Sequence, residues 1–237
     1  MYSYDEIDST NNEAKRLLRK RGGDGSFCVS DLYGSIITAR RQSAGRGRLG
    51  RSFASPGGDS VYASFILEPP ENPAEQRITS LAAVAVCLAI EKTTSIKPGI
   101  KWINDILVDG KKICGILAEA VPGAVVLGIG ININLDTEKL PDELHETAGS
   151  LKMDQETRAL FFIALKEEVF HCMAVAGNPD LMDDYRARSV LSGKSIYIGS
   201  NSIPAFCEGV ADDGALIVRY ENGASEELRS SEISIRL

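Results

Sequence analysis

The sequence predicts an α+β fold, a mixed β-sheet layered with helices and followed by a small β-barrel. Three observations carry that expectation. Strand-like and helix-like segments mix irregularly through residues 1–187 instead of repeating as βαβ units. The pair Asp109-Gly110 joins two β-rich runs as a hairpin. Beyond residue 187 helical periodicity stops, and short strands separated by turn residues take over to residue 237.

In chain order, a short strand ends near Ile7, and Thr10-Asn11-Asn12-Glu13 has capping-box spacing. Ala14, Leu17 and Leu18 then give a helix an apolar stripe, and Gly22-Gly23 end it. Residues 35–39 and 60–67 read as strands. Residues 75–95 read as a buried helix whose apolar run, residues 81–90, is far short of the roughly 20 residues needed to span a membrane. Strands follow at about 99–108, 111–119 and 125–134, and helical periodicity returns over 156–176 with Leu160, Ile163, Ala164, Glu167 and Phe170. In the last segment, residues 194–198, 206–210, 215–220 and 233–235 are short strands, with Asp212-Asp213-Gly214 marking a hairpin.

Composition narrows the function classes. A net charge of -7 argues against a general nucleic-acid binder, which carries a basic surplus. The cysteines (Cys28, Cys87, Cys114, Cys172, Cys207) are odd in number, scattered and without CxxC spacing, and no signal peptide is evident. Reduced, structural cysteines and a cytoplasmic location are expected. Of the two histidines, His145 lies in a polar stretch and His171 beside Cys172, with no cluster at metal-ligand spacing. No protein-held metal site is expected, and the chemistry must rest on Arg, Lys and Asp.

Residues 40–51 concentrate arginine and glycine within an acidic chain, and residues 32–58 contain no Asp or Glu. Glycines let backbone approach a ligand closely, and each guanidinium offers a fork of donors to phosphate or carboxylate. No Lys-Ser or Lys-Thr follows the last glycine, so this is not a Walker A loop, and arginines between the glycines exclude the dinucleotide fingerprint. A solvated basic loop or a disordered RNA-binding segment would share the composition. The flanking strands make it a loop between two rigid elements, suited to a small anion.

The hairpin at Asp109-Gly110 places Val108 opposite Lys111 and Leu107 opposite Lys112. Counting along continuous strands then puts Lys101, Ile103, Asp105, Leu107, Lys112, Cys114 and Ile116 on one face. Asp105 and Lys112 become neighbours, either as a structural ion pair or as the polar centre of an apolar pocket.

GRGRLGR preceded by Gln42, KWIND at residues 101–105 and GKKICGIL at residues 110–117 resemble, in order and spacing, the bacterial biotin protein ligases. Asp8-Ser9-Thr10-Asn11 upstream and Gly128-Ile129-Gly130-Ile131-Asn132 downstream extend the resemblance over most of residues 5–135. It implies a catalytic domain like that of class II aminoacyl-tRNA synthetases over residues 1–187 and an SH3-like barrel over 188–237. The implied activity joins biotin to ATP as biotinyl-5′-AMP, with Mg²⁺ accompanying ATP, and then transfers biotin to a lysine of a biotin carboxyl carrier domain. Larger members carry an N-terminal DNA-binding domain. Here the ligase motif begins by Asp8, so repressor activity is not expected, and the homodimer question stays open.

The resemblance also implies residue roles. Lys112 would neutralise the α-phosphate and acyl oxygens, Arg46 and Arg48 would hold and cover the adenylate phosphate, and Asp105 would receive or orient the acceptor amine. Ser9, Thr10, Asn11 and Gln42, with Arg46, Gly47, Arg48, Lys112 and Gly115, would bind biotin; Asn132 would join Arg46, Arg48 and Lys112 on the nucleotide side. Helix capping is an alternative role for Ser9 and Thr10. Two positions depart from the family pattern: Ile103 replaces a usual proline and Phe53 a common tryptophan. A lipoate or octanoate ligase or transferase would be expected to show Arg-Arg-x-Ser-Gly-Gly where this chain has Arg41-Gln42-Ser43-Ala44-Gly45. A non-catalytic phosphate- or RNA-binding module would leave Asp105 and Lys112 unexplained.

Overall fold

A computed structural model of the chain describes residues 1–20, 31–50, 52–55, 59–69, 75–136, 138, 140–229 and 235–236. Gly22-Gly23, Cys28 and Arg51, all noted in the sequence, lie outside those residues. A seven-stranded mixed sheet is assembled from β1 (Tyr2–Ile7), β2 (Ile36–Gln42), β3 (Asp59–Leu67), β4 (Gly99–Lys101), β5 (Asp105–Val108), β6 (Lys111–Val121) and β7 (Ala124–Asn134). Its order is β1-β2-β3-β7-β6-β5-β4, with β1 and β2 parallel and the other neighbours antiparallel.

The two faces of this sheet have different tasks, and β7 shows how sequence assigns them. Its odd positions, Val125, Leu127, Ile129, Ile131 and Ile133, are all buried in the main core. Against that face pack α2 (Glu75–Thr93) and α4 (Gln155–Ala174), which also pack against each other. Because α2 is apolar around its circumference, residues 81–87 and 89–90 are all buried. On the even face, Ala124 and Val126 belong to a smaller core beneath α1 (Thr10–Lys20), together with Ala14, Leu18, Ile37 and Ile66. Continuing along that face come Gly128 and Gly130, then Asn132 and Asn134. The side chains shrink to nothing where a cavity opens.

Two local expectations are corrected. The predicted capping box is not formed: Thr10 is the first helical residue, and its amide donates to Gln42 Oε1 at 2.9 Å. Glu13 instead receives Tyr4 Oη at 3.0 Å and Arg16 Nε at 2.7 Å. The single strand at 99–108 is two, since residues 102–104 form a turn that folds β4 back antiparallel onto β5. The Trp102–Ile103 peptide within that turn is cis, and Ile103 is buried in the main core.

After β7 come α3 (Asp142–His145), α4 and α5 (Asp180–Arg188), of which α3 and α5 were not anticipated from sequence. Then β8 (Ser195–Ile198), β9 (Ile203–Val210), β10 (Leu216–Tyr220), β11 (Ser225–Leu228) and β12 (Ile235–Arg236) form a separate antiparallel sheet in the order β11-β10-β9-β8-β12, consistent with an SH3-like domain. Its inward residues, among them Ile196, Cys207, Leu216 and Val218, join the main core. Among the described residues no helix is long and apolar enough to cross a membrane.

Candidate active site

A cavity of about 210 Å³ opens where β6 and β7 meet the start of α1 and the arginine loop. Its lining includes Ser9, Thr10, Asn11, Gln42, Arg46, Gly47, Arg48, Asp105, Lys112 and Gly115, all expected from sequence, and places them around one space.

One wall is polar and uncharged. Gln42 Oε1 accepts from both the amide and the hydroxyl of Thr10, at 2.9 and 3.2 Å, and its Nε2 donates to Ser55 Oγ at 3.0 Å. Ser9 precedes α1 and is 2% exposed, its carbonyl accepting from the Glu13 amide. Asn11 lines the cavity while its own amide is engaged: Nδ2 donates to Glu119 Oε2 at 2.9 Å, and Oδ1 accepts from Ser64 Oγ at 2.5 Å.

The floor depends on glycines of β6 and β7. A Cβ at Gly128 would stand 2.3 Å from Asn11 Oδ1, and one at Gly130 would stand 2.7 Å from the Phe53 ring. Any side chain there would displace a wall of the site. Phe53 lies over Gly115 and Gly130 and meets Tyr62 edge to face, with centroids 6.4 Å apart.

The charged centre comes from the β5–β6 hairpin. Leu107 pairs with Lys112 and Val108 with Lys111, as counting predicted, but Ile106 pairs with Cys114 and Asp105 with Gly115. Ile113 is an extra residue, a β-bulge, and it reverses the expected alternation beyond it. Cys114 and Ile116 therefore turn into the main core with Ile106, contrary to the face assigned by simple counting, while Gly115 comes to the cavity beside Asp105. Lys112 still faces Asp105, with Nζ and Oδ1 2.7 Å apart as an ion pair that is not aligned as a hydrogen bond. The same ammonium lies 5.9 Å from the centroid of Phe53, within reach of its π face.

Across from the hairpin, Arg48 Nη1 donates to Asn104 Oδ1 at 2.7 Å, and Asn104 Nδ2 donates to the Ile116 carbonyl at 2.9 Å. Arg46 reaches Glu119 at 3.2 Å and Asn12 Oδ1 at 3.3 Å. Burial of Glu119 would raise its pKa, yet hydrogen bonds from Lys15 and Asn11 and the charges of Lys15 and Arg46 outweigh it and hold the carboxyl below its usual range.

Asn132 is the one predicted site residue that does not line the cavity. It is buried, and its Nδ2 donates to the Gly149 carbonyl at 3.1 Å. Neither histidine lines the cavity, and among the described residues no three His, Cys, Asp or Glu side chains are grouped to hold a metal.

The Biotin/lipoate A/B protein ligase family matches residues 29–136. A biotin–[acetyl-CoA-carboxylase] ligase of Paracoccus denitrificans is 29% identical over 236 residues, covering 91% of this chain and 92% of that protein. Residues 29–136, under half of the chain, thus match a biotin/lipoate protein ligase domain. The bifunctional ligase/repressor BirA of Bacillus spizizenii is 40% identical over 154 residues, covering 62% of this chain and 44% of that protein. The chain thus spans under half the length of such curated relatives. The biotin protein ligase of Aquifex aeolicus, solved with biotin and ATP, superposes with a TM-score of 0.83 at 26% identity, covering 99% of this chain and 97% of that one.

Several residues of this site were not singled out from sequence. Asn104 sits inside the KWIND string and could have been flagged there as the polar partner a loop arginine needs. Glu119 carried no such signal, because its role depends on α1 and the loop meeting at one strand position. Trp102 lines the cavity and donates from Nε1 to the Gly214 carbonyl at 2.9 Å, a contact across 112 residues that no local pattern encodes.

Proposed function

We propose that this protein is an ATP-dependent biotin protein ligase, making biotinyl-5′-AMP and passing the biotinyl group to a lysine of a carboxylase's biotin carboxyl carrier domain. One observation carries the reading: Lys112, Arg46 and Arg48 converge on a cavity whose other wall, at Ser9, Thr10 and Gln42, is polar and uncharged. The neutral wall suits the ureido ring of biotin, and the cationic side suits a phosphate.

In the first step a biotin carboxylate oxygen attacks the α-phosphorus of ATP, the bond to the β-phosphate oxygen breaks, and pyrophosphate leaves. Lys112 lies where it can neutralise charge building on the α-phosphate, with Arg46 and Arg48 holding the adenylate. In the second step the acceptor amine attacks the acyl carbon and AMP leaves. Asp105 orients the incoming ammonium and can take up its proton. Closure of the arginine loop would keep water from the mixed anhydride.

Mg²⁺ fits this site as an ion carried by the nucleotide. Phosphate-bound Mg²⁺ retains waters and needs one or two protein carboxylates at most, and Asp105 is the one carboxylate that lines the cavity among the described residues. When bound, the ion would offset phosphate charge. A reducing cytosolic setting suits the four described cysteines, all free and buried. The same reading takes residues 1–187 as the catalytic domain and 188–237 as an SH3-like domain that buttresses it through Trp102 and Gly214.

Pyrophosphate release by purified protein with ATP and Mg²⁺, compared with biotin, with lipoate and without acid, tests the reading. Biotin-dependent release of about one equivalent, stalling until a carrier domain is added, is the expected result. Lipoate dependence would reassign the substrate, and no release by folded protein would overturn the enzymatic reading.

A further inference from the structure

Resting on that reading of the site, we infer that Lys101 is a further catalytic residue, binding the β- and γ-phosphates of ATP and stabilising pyrophosphate as it leaves. Lys101 ends β4, where Ile100 pairs with Ile106 and Lys101 with Asp105. Both isoleucines are fully buried in the main core, so alternation sends Lys101 and Asp105 to the opposite face, and both line the cavity. The outer edge of β4 is closed by Ser189 and Val190, the Val190 amide donating to the Ile100 carbonyl at 2.9 Å. The strand that carries Lys101 is therefore held on both flanks.

Among the described residues, four cations and one carboxylate line the cavity. Lys112 pairs with that carboxylate, Asp105, while Arg46 pairs with Glu119 and Arg48 bonds Asn104. Lys101 alone of the four has neither a hydrogen bond nor an ion pair among the described residues. It is half-buried, and a partly desolvated ammonium without a counterion favours an anionic ligand. The sheet order indicates which part of the ligand that is. The neutral wall read as the biotin site lies at the start of α1 and on β2, Lys112 on β6, and Lys101 on β4 at the far edge. Lys112 thus stands between the biotin wall and Lys101, with β4 two strand spacings, about 10 Å, beyond β6. Displacement at phosphorus keeps the attacking and leaving oxygens roughly in line. With biotin on one side of an α-phosphate held at Lys112, the β- and γ-phosphates extend to the other side, toward Lys101. The leaving pyrophosphate oxygen takes the electron pair of the breaking P–O bond, and a fixed ammonium there stabilises charge that develops in the transition state.

The test compares Lys101→Gln with the parent in three reactions of the full chain. The first is biotin-dependent pyrophosphate release in a single turnover. The second is its reverse, in which added pyrophosphate converts protein-bound biotinyl-5′-AMP back to ATP. The third is transfer of biotin from preformed biotinyl-5′-AMP to a carrier domain, a step without pyrophosphate. The forward rate should fall about 10- to 100-fold, and the pyrophosphate concentration that half-saturates the reverse reaction should rise about tenfold. Transfer should change by less than about twofold. Lys101→Arg keeps the charge and should recover most of the forward rate. Unchanged forward and reverse reactions would make Lys101 a solvated surface charge, equal losses in all three would make it structural, and a loss confined to transfer would make it an acceptor contact; each overturns the inference. Lys101→Met carries the identical test should the glutamine variant fail to fold. Parent protein that releases no pyrophosphate with biotin would refute the ligase reading instead, a distinct outcome.

Discussion

On the sheet side of the cavity Lys112 is fixed through its backbone, paired to Leu107 on one flank and to Thr147 and Gly149 on the other. Across from it, Arg46 and Arg48 belong to a loop whose hold on that side runs through guanidinium groups, to Glu119 and to Asn104. A backbone-fixed cation keeps its place whatever fills the site, as transition-state stabilisation requires. Cations fixed by side-chain contacts can exchange their partners for a phosphate, as capture and closure require. Two kinds of positive charge therefore have two kinds of support.

Removing Lys112 should break this comparison most severely. Lys112→Ala is expected to slow biotin-dependent adenylation by about 100- to 1,000-fold, the cost of losing one preorganised stabilising group. Its melting temperature should stay near that of the parent, because Thr147 and Gly149 bond backbone atoms that alanine retains. Burst-phase pyrophosphate kinetics together with thermal unfolding would check both halves.

Gly128→Ala attacks the floor shared by both walls. The added methyl would collide with Asn11 Oδ1, which is already committed to Ser64. We expect a loss of about 1–3 kcal/mol in unfolding free energy by urea titration, with weakened biotin binding.

Arg48→Ala should sharpen the comparison from the loop side, weakening retention of the adenylate by about tenfold while leaving stability within about 0.5 kcal/mol. Dissociation of labelled intermediate on dilution would measure it. Adenylation falling as far as in Lys112→Ala would erase the distinction between the two supports.

The smallest effect is expected at Glu119. Its carboxyl titrates below the usual glutamate range in the folded protein. Its contribution to stability is therefore complete above the unfolded-state value of about 4.3 and lost as pH falls through the lower folded value. Acid unfolding curves of Glu119→Gln should lack that component, and loop closure should depend less on pH over the same window. An unchanged acid limb would show that the Lys15, Asn11 and Arg46 contacts contribute nothing to folding.

Much of this was legible beforehand, for reasons that differ by element. The hairpin at Asp109-Gly110 fixed the first two pairs of β5 and β6, because a two-residue turn leaves the chain one register. The bulge at Ile113 was not legible, since β-branched apolar residues read alike whether paired or extra, and so the faces of Cys114, Gly115 and Ile116 were inverted. The capping box at Thr10 failed because a side chain from β2, 32 residues away, took the amide that Glu13 was expected to fill. Asn132 fitted a motif, but that its Nδ2 would donate to the Gly149 carbonyl, 17 residues on, was not legible.

What the sequence determined by itself was local and chemical: the alternation that buries one face of β7, the glycines that empty the other face, the hairpin, and an arginine loop without a single carboxylate. These follow from side-chain size, charge and turn geometry within a few residues. Tertiary structure alone decided which distant groups meet in a hydrogen bond or ion pair: Gln42 with Thr10, Glu119 with Arg46, Trp102 with Gly214, and Thr147 and Gly149 with Lys112. Buried polar groups must find partners wherever packing brings them, and that packing is a property of the whole chain.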